Sequence, residues 1–380
     1  MTSKTSITIG VPKTFRAGEC RLPLTPEVAG KYRQLGARVL MQRGAGQAAH
    51  FADEAFVGVD LVDTAAQLFA ESDIVLSIQP PAVEVLQTMK PAGVLVGSLQ
   101  PWSDAPRVGA LAQLGLTSFA MELLPRISRA QSMDVLSSQA AVAGYECALI
   151  AADHCPKFFP MLTYAAGTIR PAKVLVIGAG VAGLQAMATA RRLGAMVSGY
   201  DVRPETREQI ESLGARFVDA GVTASGAGGY ARELSADEVR LQRERLTKAI
   251  ADCDALITTA AVPGKRAPLI VDADMLRAMR PGAVVVDLAA ESGGNVAGTQ
   301  PGEKIRVGEV LLIGPTDIAS RMPVHASEMY ARNLFNFLSP LIKDGELVLD
   351  WNDEVVAGTC LTHDGEIRHE GVRRAHGLCL

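Results

Sequence analysis

The feature that most constrains the fold is a glycine-rich turn that joins an apolar strand to a helix. The strand is residues 174–177 (VLVI), and the turn is residues 178–183 (GAGVAG). A helical pattern follows, and then a second strand, residues 195–200 (AMVSGY), which ends at Asp201. A strand, a glycine turn, a helix and a second strand ending in an acid together predict a Rossmann-type domain. We expect it to begin near Lys173.

Each glycine of this turn has a physical role. Gly178 permits the tight turn, Gly180 lets the backbone approach a pyrophosphate, and Gly183 allows close packing of helix on strand. The helix N-terminus offers free N–H groups and a positive dipole end to the phosphates. The turn and the second strand end therefore predict nucleotide contacts at Gly178, Ala179, Gly180, Val181, Ala182, Gly183, Asp201, Val202 and Arg203.

The choice between NAD and NADP depends on Asp201 and Arg203. A carboxylate at the second strand end accepts hydrogen bonds from the adenosine ribose and repels a 2′-phosphate, which favours NAD. An arginine two residues later is able to bind a 2′-phosphate. Because Asp201 is present, we expect Arg203 to lie over the adenine or in solvent.

Strand-like and helix-like segments alternate along most of the chain, which indicates parallel sheets. We predict an α/β fold with two Rossmann-like domains and the nucleotide in the cleft between them. The nucleotide-binding domain is assigned to residues 137–319, and the other domain to residues 1–136 plus about 320–380. The predicted strands are SITIGV, ARVLMQ, DIVLSI, GVLVGS, TSFAME, KVLVIG, AMVSGYD, ARFV, ALITTA, AVVVDL and VLLIG.

Helices are predicted between these strands, for example at residues 26–35, 105–114 and 233–248. Residues 329–338 (MYARNLFNFL) form another, at which the chain returns to the first domain. Towards the C-terminus, ELVLDW and EVVAGTCLT are strand-like.

Composition excludes several function classes. The formal net charge is −4, and no cluster of Lys and Arg indicates a nucleic-acid surface. The N-terminus lacks the apolar region of a signal peptide, and residues 174–190 are too short and too glycine-rich for a membrane span. The six cysteines and six histidines show no metal-ligand spacing, so we expect reduced thiols and no bound metal.

A polar segment, residues 126–138 (RISRAQSMDVLSS), precedes an apolar helix. Taken alone, it fits a helix N-terminus capped by Asp134, Ser137 or Ser138. The alternative is that its polar groups bind a carboxamide and a ribose across the cleft, with Arg126 and Asp134 paired to hold the loop.

Four stretches carry a specific resemblance that covers essentially the whole chain: residues 126–140, 171–186, 226–233 and 284–295. On these motifs the chain resembles the NAD(H)-binding portion of subunit alpha in the proton-translocating NAD(P) transhydrogenase family. It resembles the alanine dehydrogenases more weakly, and residues 10–13 and 21–26 are shared with both.

The transhydrogenase resemblance implies roles for individual residues. Arg126 and Ser137 would engage the carboxamide of the nicotinamide, Gln131 would lie between two nicotinamides, and Asp134 would support the site. Tyr230 would belong to a mobile loop that closes on the nucleotide. Further nucleotide contacts are implied at Ser128, Ser132, Met133, Gly229, Gln242 and Ala261.

Two positions separate the branches of this family. Alanine dehydrogenases carry a lysine and a histidine where this chain has Gln79 and Gln100. Oxidation of an amino acid removes a proton as well as a hydride, so it normally needs a titratable group. Hydride transfer between two nicotinamides needs only alignment and exclusion of water. Arg21, which would bind a substrate carboxylate in a dehydrogenase, is present and is expected to support structure.

The resemblance therefore implies an oxidoreductase that transfers hydride between NAD(H) bound here and NADP(H) on a partner beta subunit. A further subunit would span the membrane, and transfer would be coupled to proton translocation there. The chain would be a homodimer on the cytoplasmic side, peripherally attached to the inner membrane through its partners. Two alternatives stay open: an alanine-type amino-acid dehydrogenase, and a non-catalytic NAD(H)-sensing module.

Overall fold

A computed structural model describes residues 6–224, 232–262 and 264–377 of the chain. The chain divides into two compact units. Unit 1 comprises residues 1–139 and 319–380, and unit 2 comprises residues 140–318. Both are α/β, which confirms the predicted fold class of two Rossmann-like domains.

Unit 1 is built on one sheet with helices on both faces. Its first segment holds β1 (Thr8–Val11), α1 (Pro26–Gln34), β2 (Arg38–Gln42), β3 (Asp60–Val62), α2 (Ala65–Glu71), β4 (Ile74–Ser77), α3 (Val83–Leu86), β5 (Val94–Gly97), α4 (Ala105–Gln113), β6 (Thr117–Ala120) and the start of α5 (Val135–His154). Unit 2 follows with β7 (Leu162–Tyr164), β8 (Gly167–Ile169), β9 (Lys173–Ile177), α6 (Val181–Arg192), β10 (Met196–Tyr200), α7 (Thr206–Ser212), β11 (Arg216–Phe217), α8 (Ala236–Asp252), β12 (Ala255–Thr258), α9 (Ala273–Arg277), β13 (Val284–Asp287), β14 (Lys304–Val307) and β15 (Val310–Ile313). The chain then returns to unit 1 with α10 (Pro323–Leu338), β16 (Ile342–Lys343), β17 (Glu346–Leu347), α11 (Glu354–Thr359), β18 (Cys360–His363), β19 (Glu366–Ile367) and α12 (Glu370–Ala375).

The sheet of unit 1 has the strand order β19-β18-β6-β5-β4-β1-β2-β3. Strands β1 to β6 are parallel to their neighbours, whereas β18 is antiparallel to β6 and β19. Alternate residues of one strand enter different cores: Ile74 and Leu76 lie in one, and Val75 lies in the other. A parallel sheet needs this cover on both faces.

The sheet of unit 2 has the order β11-β10-β9-β12-β13-β15-β14. All neighbours are parallel except β14 and β15. The order reverses between β9 and β12, which is where ligands bind in open α/β sheets, just beyond the carboxyl ends of the strands. Ile177 pairs with Tyr200 on one side and Thr258 on the other. The three strands therefore end level, and Gly178, Asp201 and Thr259 follow at one edge.

The predicted core strands and the helices at residues 26–35, 105–114 and 329–338 correspond to elements of the structure. Two expectations were wrong in detail. The segment EVVAGTCLT begins as a helix, α11, because Asp353 caps it by accepting a hydrogen bond from the Val355 N–H; only its last residues form strand β18. Helix α8 begins at Ala236, not Glu233, because Ser235 and Glu238 form a reciprocal capping box in front of it.

Helix α5 is, within the described residues, the one helix long and apolar enough to cross a membrane by length and composition. Residues 174–190, which the sequence excludes as a membrane span, lie in strand β9, the glycine turn and helix α6. Half of the apolar window of α5 is buried. Cys147 and Ala148 pack into a core of unit 2, and Glu146 is buried as well. These are features of a helix in a protein core.

Candidate nucleotide-binding site

The turn after β9 has the geometry that its glycines predict. Gly178 has φ of 97°, a left-handed conformation that a residue with a Cβ rarely adopts. A Cβ on Gly183 would lie 1.8 Å from the Gly178 carbonyl oxygen, so α6 approaches the strand end too closely for any side chain there. A Cβ on Gly180, in contrast, would meet no atom of the described chain within 4 Å.

Helix α6 begins at Val181 directly after this turn. Its N-cap is Gly180, and no side chain among the described residues caps it. The first N–H groups of the helix thus keep their capacity to bind an anion. Gly144 of α5 packs against this end: a Cβ there would lie 2.0 Å from the Ala182 carbonyl oxygen. Gly144 is not part of any motif recognised in the sequence.

The carboxylate of Asp201 lies at the end of the neighbouring strand β10. It accepts a 2.7 Å hydrogen bond from the Ala179 N–H of the glycine turn. Only 8% of its side chain is exposed. Burial opposes its ionisation, but hydrogen bonds from the Arg203 side chain and from the Ala179 and Arg203 N–H groups outweigh burial and lower the pKa of Asp201. The group is therefore a buried anion beside the phosphate-binding turn.

Arg203 is paired with Asp201, so the expectation that it lies in solvent was wrong. Its Nε donates to Asp201 Oδ1 at 2.9 Å and its Nη2 to Oδ2 at 2.7 Å. Its own N–H donates to Oδ1 at 2.9 Å. The turn that directs the Arg203 N–H to this carboxylate also brings the guanidinium within hydrogen-bond distance. The pairing is favourable because a buried carboxylate requires hydrogen-bond donors.

A cavity of about 330 Å³ adjoins this pair. It runs from the end of β10 to the segment after β11 and contains two arginines and two aspartates. Its lining includes Asp201, Arg203, Arg207, Phe217, Asp219 and Thr223.

At the same edge of the sheet, the segment after β12 is held by a buried asparagine that the sequence reasoning missed. Asn295 accepts from the Ala260 N–H at 3.0 Å and donates to the Ala260 carbonyl oxygen at 2.7 Å. The carboxylate of Asp287, which ends β13, accepts from the Asn295 N–H at 2.8 Å. Asp287 lies at a strand end just as Asp201 does, and that pattern was the available signal. Ala261, a predicted nucleotide contact, follows Ala260 directly and is exposed.

The other predicted contacts of unit 2 differ in their surroundings. Gln242 is buried on α8 and donates a 2.8 Å hydrogen bond to the Tyr200 hydroxyl, so its amide supports the strand that precedes Asp201. Gly229 and Tyr230 lie outside the described residues. Within the described residues, no group of three or more His, Cys, Asp and Glu side chains is placed to hold a metal ion.

In unit 1, the polar segment forms a 3-10 helix, Ser128–Met133, followed by α5. Asp134 precedes α5 and accepts from the Ser137 N–H at 3.0 Å and from the Ser137 hydroxyl at 2.5 Å. The capping interpretation is thus correct for Asp134. Asn333 of α10 fixes the segment by donating to the Ser132 carbonyl oxygen at 2.8 Å.

The side chains of this segment divide by exposure. Met133 is buried in the core of unit 1, which leaves its backbone for a nucleotide contact. Asp134 and Ser137 are half-buried, and four other predicted contacts are exposed, namely Arg126, Ser128, Gln131 and Ser132.

A second polar cluster lies beyond β1 and β4, the point in unit 1 where strand order reverses. Glu19, with a fully buried side chain, pairs with Arg21 at 2.6 Å. Burial opposes its ionisation, yet the Arg21 guanidinium and the Ser320 hydroxyl outweigh burial and lower the pKa of Glu19 to about 2. Gln79 donates to Glu19 Oε2 at 3.1 Å, and Gln100 donates to Gln79 Oε1 at 3.4 Å. Arg21 is therefore neutralised by a carboxylate of its own chain.

Family comparisons agree with this architecture. The family model described as alanine dehydrogenase/PNT, C-terminal domain, matches residues 147–370, and its N-terminal counterpart matches residues 10–143. The chain is 44% identical over 374 residues to an NAD(P) transhydrogenase subunit alpha protein of Rhodospirillum rubrum, covering 95% of this chain and 97% of that one. The corresponding protein of Rickettsia prowazekii is 41% identical, with 94% and 95% coverage.

The chain belongs to the NAD(P) transhydrogenase subunit alpha family. A solved transhydrogenase structure from Sinorhizobium meliloti supports this, with a TM-score of 0.84, 39% identity, and coverage of 96% of this chain and 99% of that one. Membership makes the chain an oxidoreductase of the transhydrogenase class and confirms the predicted family.

The alanine dehydrogenase branch is more distant. The alanine dehydrogenase of Mycolicibacterium smegmatis is 26% identical over 376 residues, covering 96% of each chain. A solved L-alanine dehydrogenase has a TM-score of 0.80 at 23% identity, covering 98% of this chain and 99% of that one, and shows a shared fold alone. The transhydrogenase family thus fits a chain with amides at positions 79 and 100.

Proposed function

We propose that this chain binds NAD(H) at the turn between β9 and α6 and exchanges hydride with NADP(H) held by a partner subunit. The observation that carries the proposal is the edge of unit 2 where a helix N-terminus, which no described side chain caps, adjoins the buried anion Asp201. The open space at Gly180 fits a pyrophosphate, and the strand-end carboxylate fits a ribose diol. NAD(H) supplies the hydride chemistry.

The nucleotide preference follows from Asp201. An ionised carboxylate accepts hydrogen bonds from two ribose hydroxyls but repels a 2′-phosphate. In this proposal Ala179, Val181, Ala182 and Val202 contact the phosphates and the adenosine through their position at the turn and the strand end, and Arg203 does so through its backbone. Gly178 and Gly183 shape the turn, and Gly229, Tyr230, Gln242 and Ala261 complete the nucleotide site.

The segment before α5 is proposed to orient the nicotinamide. Because the Ser137 hydroxyl donates to Asp134, its lone pairs are left to accept from the carboxamide NH₂ group. Asp134 thus acts by orienting Ser137. The exposed side chains of Arg126 and Gln131 supply donors, Arg126 to the carboxamide oxygen and Gln131 between the two nicotinamides. Ser128, Ser132 and Met133 are proposed as further contacts.

The chain's own residues need only align and desolvate the reacting rings. Gln79 and Gln100 occupy positions where a dehydrogenase would hold an acid and a base, and amides do neither task. Arg21 is paired with Glu19, so it is not offered to a substrate carboxylate. These contacts support direct hydride transfer and count against amino-acid oxidation.

We further propose the partners that the family implies. These are an NADP(H)-binding beta subunit and a membrane-spanning subunit in which hydride transfer is coupled to proton translocation. The chain would then be attached peripherally to the cytoplasmic face of the inner membrane. The long apolar helix α5 contributes to the core of unit 2, which is consistent with a span supplied by another subunit.

A homodimer is proposed on an apolar surface of unit 2. Four large apolar side chains in or near the β7–β8 hairpin are exposed, and exposed apolar patches mark interaction sites. They are Phe158, Met161, Tyr164 and Met196. If this surface joins two copies of the chain, the Met161→Glu variant should sediment as a monomer. A variant that remains a dimer would exclude this surface as the dimer interface.

The function is tested by reconstitution. The purified chain is mixed with an NADP(H)-binding transhydrogenase domain, and reduction of an NAD analogue by NADPH is followed. We expect turnover that depends on both components. A chain that binds NADH normally but gives no turnover would be an NAD(H)-sensing module. Reduction of NAD by L-alanine with the chain alone would indicate a dehydrogenase.

A further inference from the structure

The carboxylate of Asp201 is already saturated with hydrogen bonds in the described structure. Oδ2 accepts from the Ala179 N–H and from Arg203 Nη2, both at 2.7 Å. Oδ1 accepts from the Arg203 N–H and Nε, both at 2.9 Å. An ionised carboxylate offers about four lone-pair sites. Two ribose hydroxyls therefore need two of these donors to leave.

The donors differ in how readily they leave. The Ala179 N–H belongs to the glycine turn, and the Arg203 backbone is fixed because its carbonyl oxygen accepts from the Thr206 N–H and hydroxyl. The Arg203 side chain, in contrast, is flexible and has several rotatable bonds. It is 19% exposed and lines the cavity beside the strand end. The two guanidinium hydrogen bonds are thus the exchangeable pair.

We propose that Arg203 is a specificity-determining residue that occupies the ribose-binding carboxylate until NAD(H) displaces it. Its two side-chain donors equal in number the two hydroxyl donors of the adenosine ribose, so Asp201 exchanges one pair for the other. This inference rests on the proposed role of Asp201 as the ribose acceptor.

Displacement of the Arg203 side chain from Asp201 affects the discrimination between NADH and NADPH. While Arg203 pairs with Asp201, it neutralises the charge that would repel a 2′-phosphate, and once displaced it lies beside the position of that phosphate. Arg203 therefore lowers the affinity for NADH and also weakens the discrimination against NADPH. Removing it should sharpen discrimination, which is the opposite of what loss of a nucleotide-binding arginine would do.

The experiment is equilibrium titration of the full chain with NADH and with NADPH. Arg203→Ala should bind NADH about fivefold more tightly, the equivalent of one net hydrogen bond, and the ratio of the NADPH Kd to the NADH Kd should rise. Arg203→Lys, which keeps the charge without the two-pronged geometry, should show some of the tightening.

Arg207→Ala is the matched control. It removes the same charge from the same cavity, but its partner is Asp219. Because NADH is an anion, this change should weaken NADH binding or leave it as it is. Tightening by Arg207→Ala equal to that by Arg203→Ala would overturn the inference, since charge alone would then explain the effect.

A double-mutant cycle tests the route of the effect. In an Asp201→Asn background, Arg203→Ala should no longer tighten NADH binding. Equal tightening in both backgrounds, or weaker NADH binding by Arg203→Ala in the Asp201 chain, would contradict the inference. Failure of the proposed function would give a different result from failure of this inference. If Asp201 does not bind the ribose, Asp201→Asn alone would leave the NADH Kd unchanged.

Discussion

Ser320 donates a 2.6 Å hydrogen bond to the buried carboxylate of Glu19, a residue 301 positions earlier in the chain. The same carboxylate pairs with Arg21, whose Nη1 donates to Gln139 at 2.8 Å. Gln139 is the last residue of the first segment of unit 1, and Ala319 begins the second. One buried ion pair thus anchors unit 1 both where the chain leaves it and where it returns.

Glu19 should make the stability of the chain sensitive to acid. Its pKa is lowered from 4.5 to about 2, so the folded state favours the ionised form. The stabilisation is fully present above pH 4.5 and is lost as pH falls towards 2. Chemical denaturation at a series of pH values should show the free-energy difference between the parent chain and Glu19→Gln shrinking over this window. A constant difference would contradict the assigned pKa.

At neutral pH, Glu19→Gln should lower the free energy of unfolding by about 3 kcal/mol, because it leaves the mostly buried Arg21 without its carboxylate. The matched control is Glu27→Gln, which breaks the exposed pair with Lys31. Exposed pairs contribute little, so this control should unfold like the parent. Equal effects of the two changes would show that burial of the pair is unimportant.

The glycines of the turn should separate folding from binding. Gly180→Ala should fold normally, because the φ of Gly180 is −77° and a Cβ there would lie more than 4 Å from the described atoms beyond its chain neighbours. It should nevertheless weaken NADH binding by about tenfold or more, because the added methyl group obstructs the phosphates. Gly183→Ala should also lower Tm, because its Cβ would collide with the Gly178 carbonyl. Thermal melts and NADH titrations check both; unimpaired binding by Gly180→Ala would contradict the phosphate site.

Asp201→Ala should weaken NADH binding by about tenfold or more, the contribution of hydrogen bonds to a charged group. It should also improve NADPH binding, because the repulsive charge is gone and Arg203 is released from its ion pair. Titrations with both nucleotides measure this. An unchanged NADH Kd would exclude the ribose assignment.

Gln131→Asn should slow hydride transfer far more than it weakens NADH binding. The side chain is exposed on the 3-10 helix before α5, and shortening it by one methylene would misplace the ring without removing the site. The reconstituted rate and the NADH Kd are compared in the same preparation. Proportional losses in both would assign Gln131 to binding alone.

Much of the fold follows from the sequence because the informative residues act locally. The apolar strands, the glycine turn and the acid after β10 are each legible in a few consecutive residues. Helix α11 could not be predicted in this way, because two consecutive valines favour a strand. The residues form a helix because Asp353 caps it and Val355 and Val356 are buried.

The site was less predictable where it depends on contacts distant in sequence. Pairing of Glu19 with Ser320, and of Asn295 with Ala260, is set by how the strands are ordered, which no short motif encodes. For Arg203, the sequence predicted a position at the site but not its ion pair with Asp201. Whether an arginine side chain pairs with a neighbouring carboxylate or lies in solvent depends on how deeply the carboxylate is buried.

Direct hydride transfer from one nicotinamide to the other can be tested with isotope-labelled NADPH. NADPH deuterated at the transferred position is added in ordinary water to the chain, an NADP(H)-binding transhydrogenase domain and an NAD analogue. Because residues 79 and 100 are amides and direct transfer has no exchangeable intermediate, we expect the reduced analogue to carry all of the deuterium. Deuterium lost to water, or no reduced analogue although NADH binds, would contradict it.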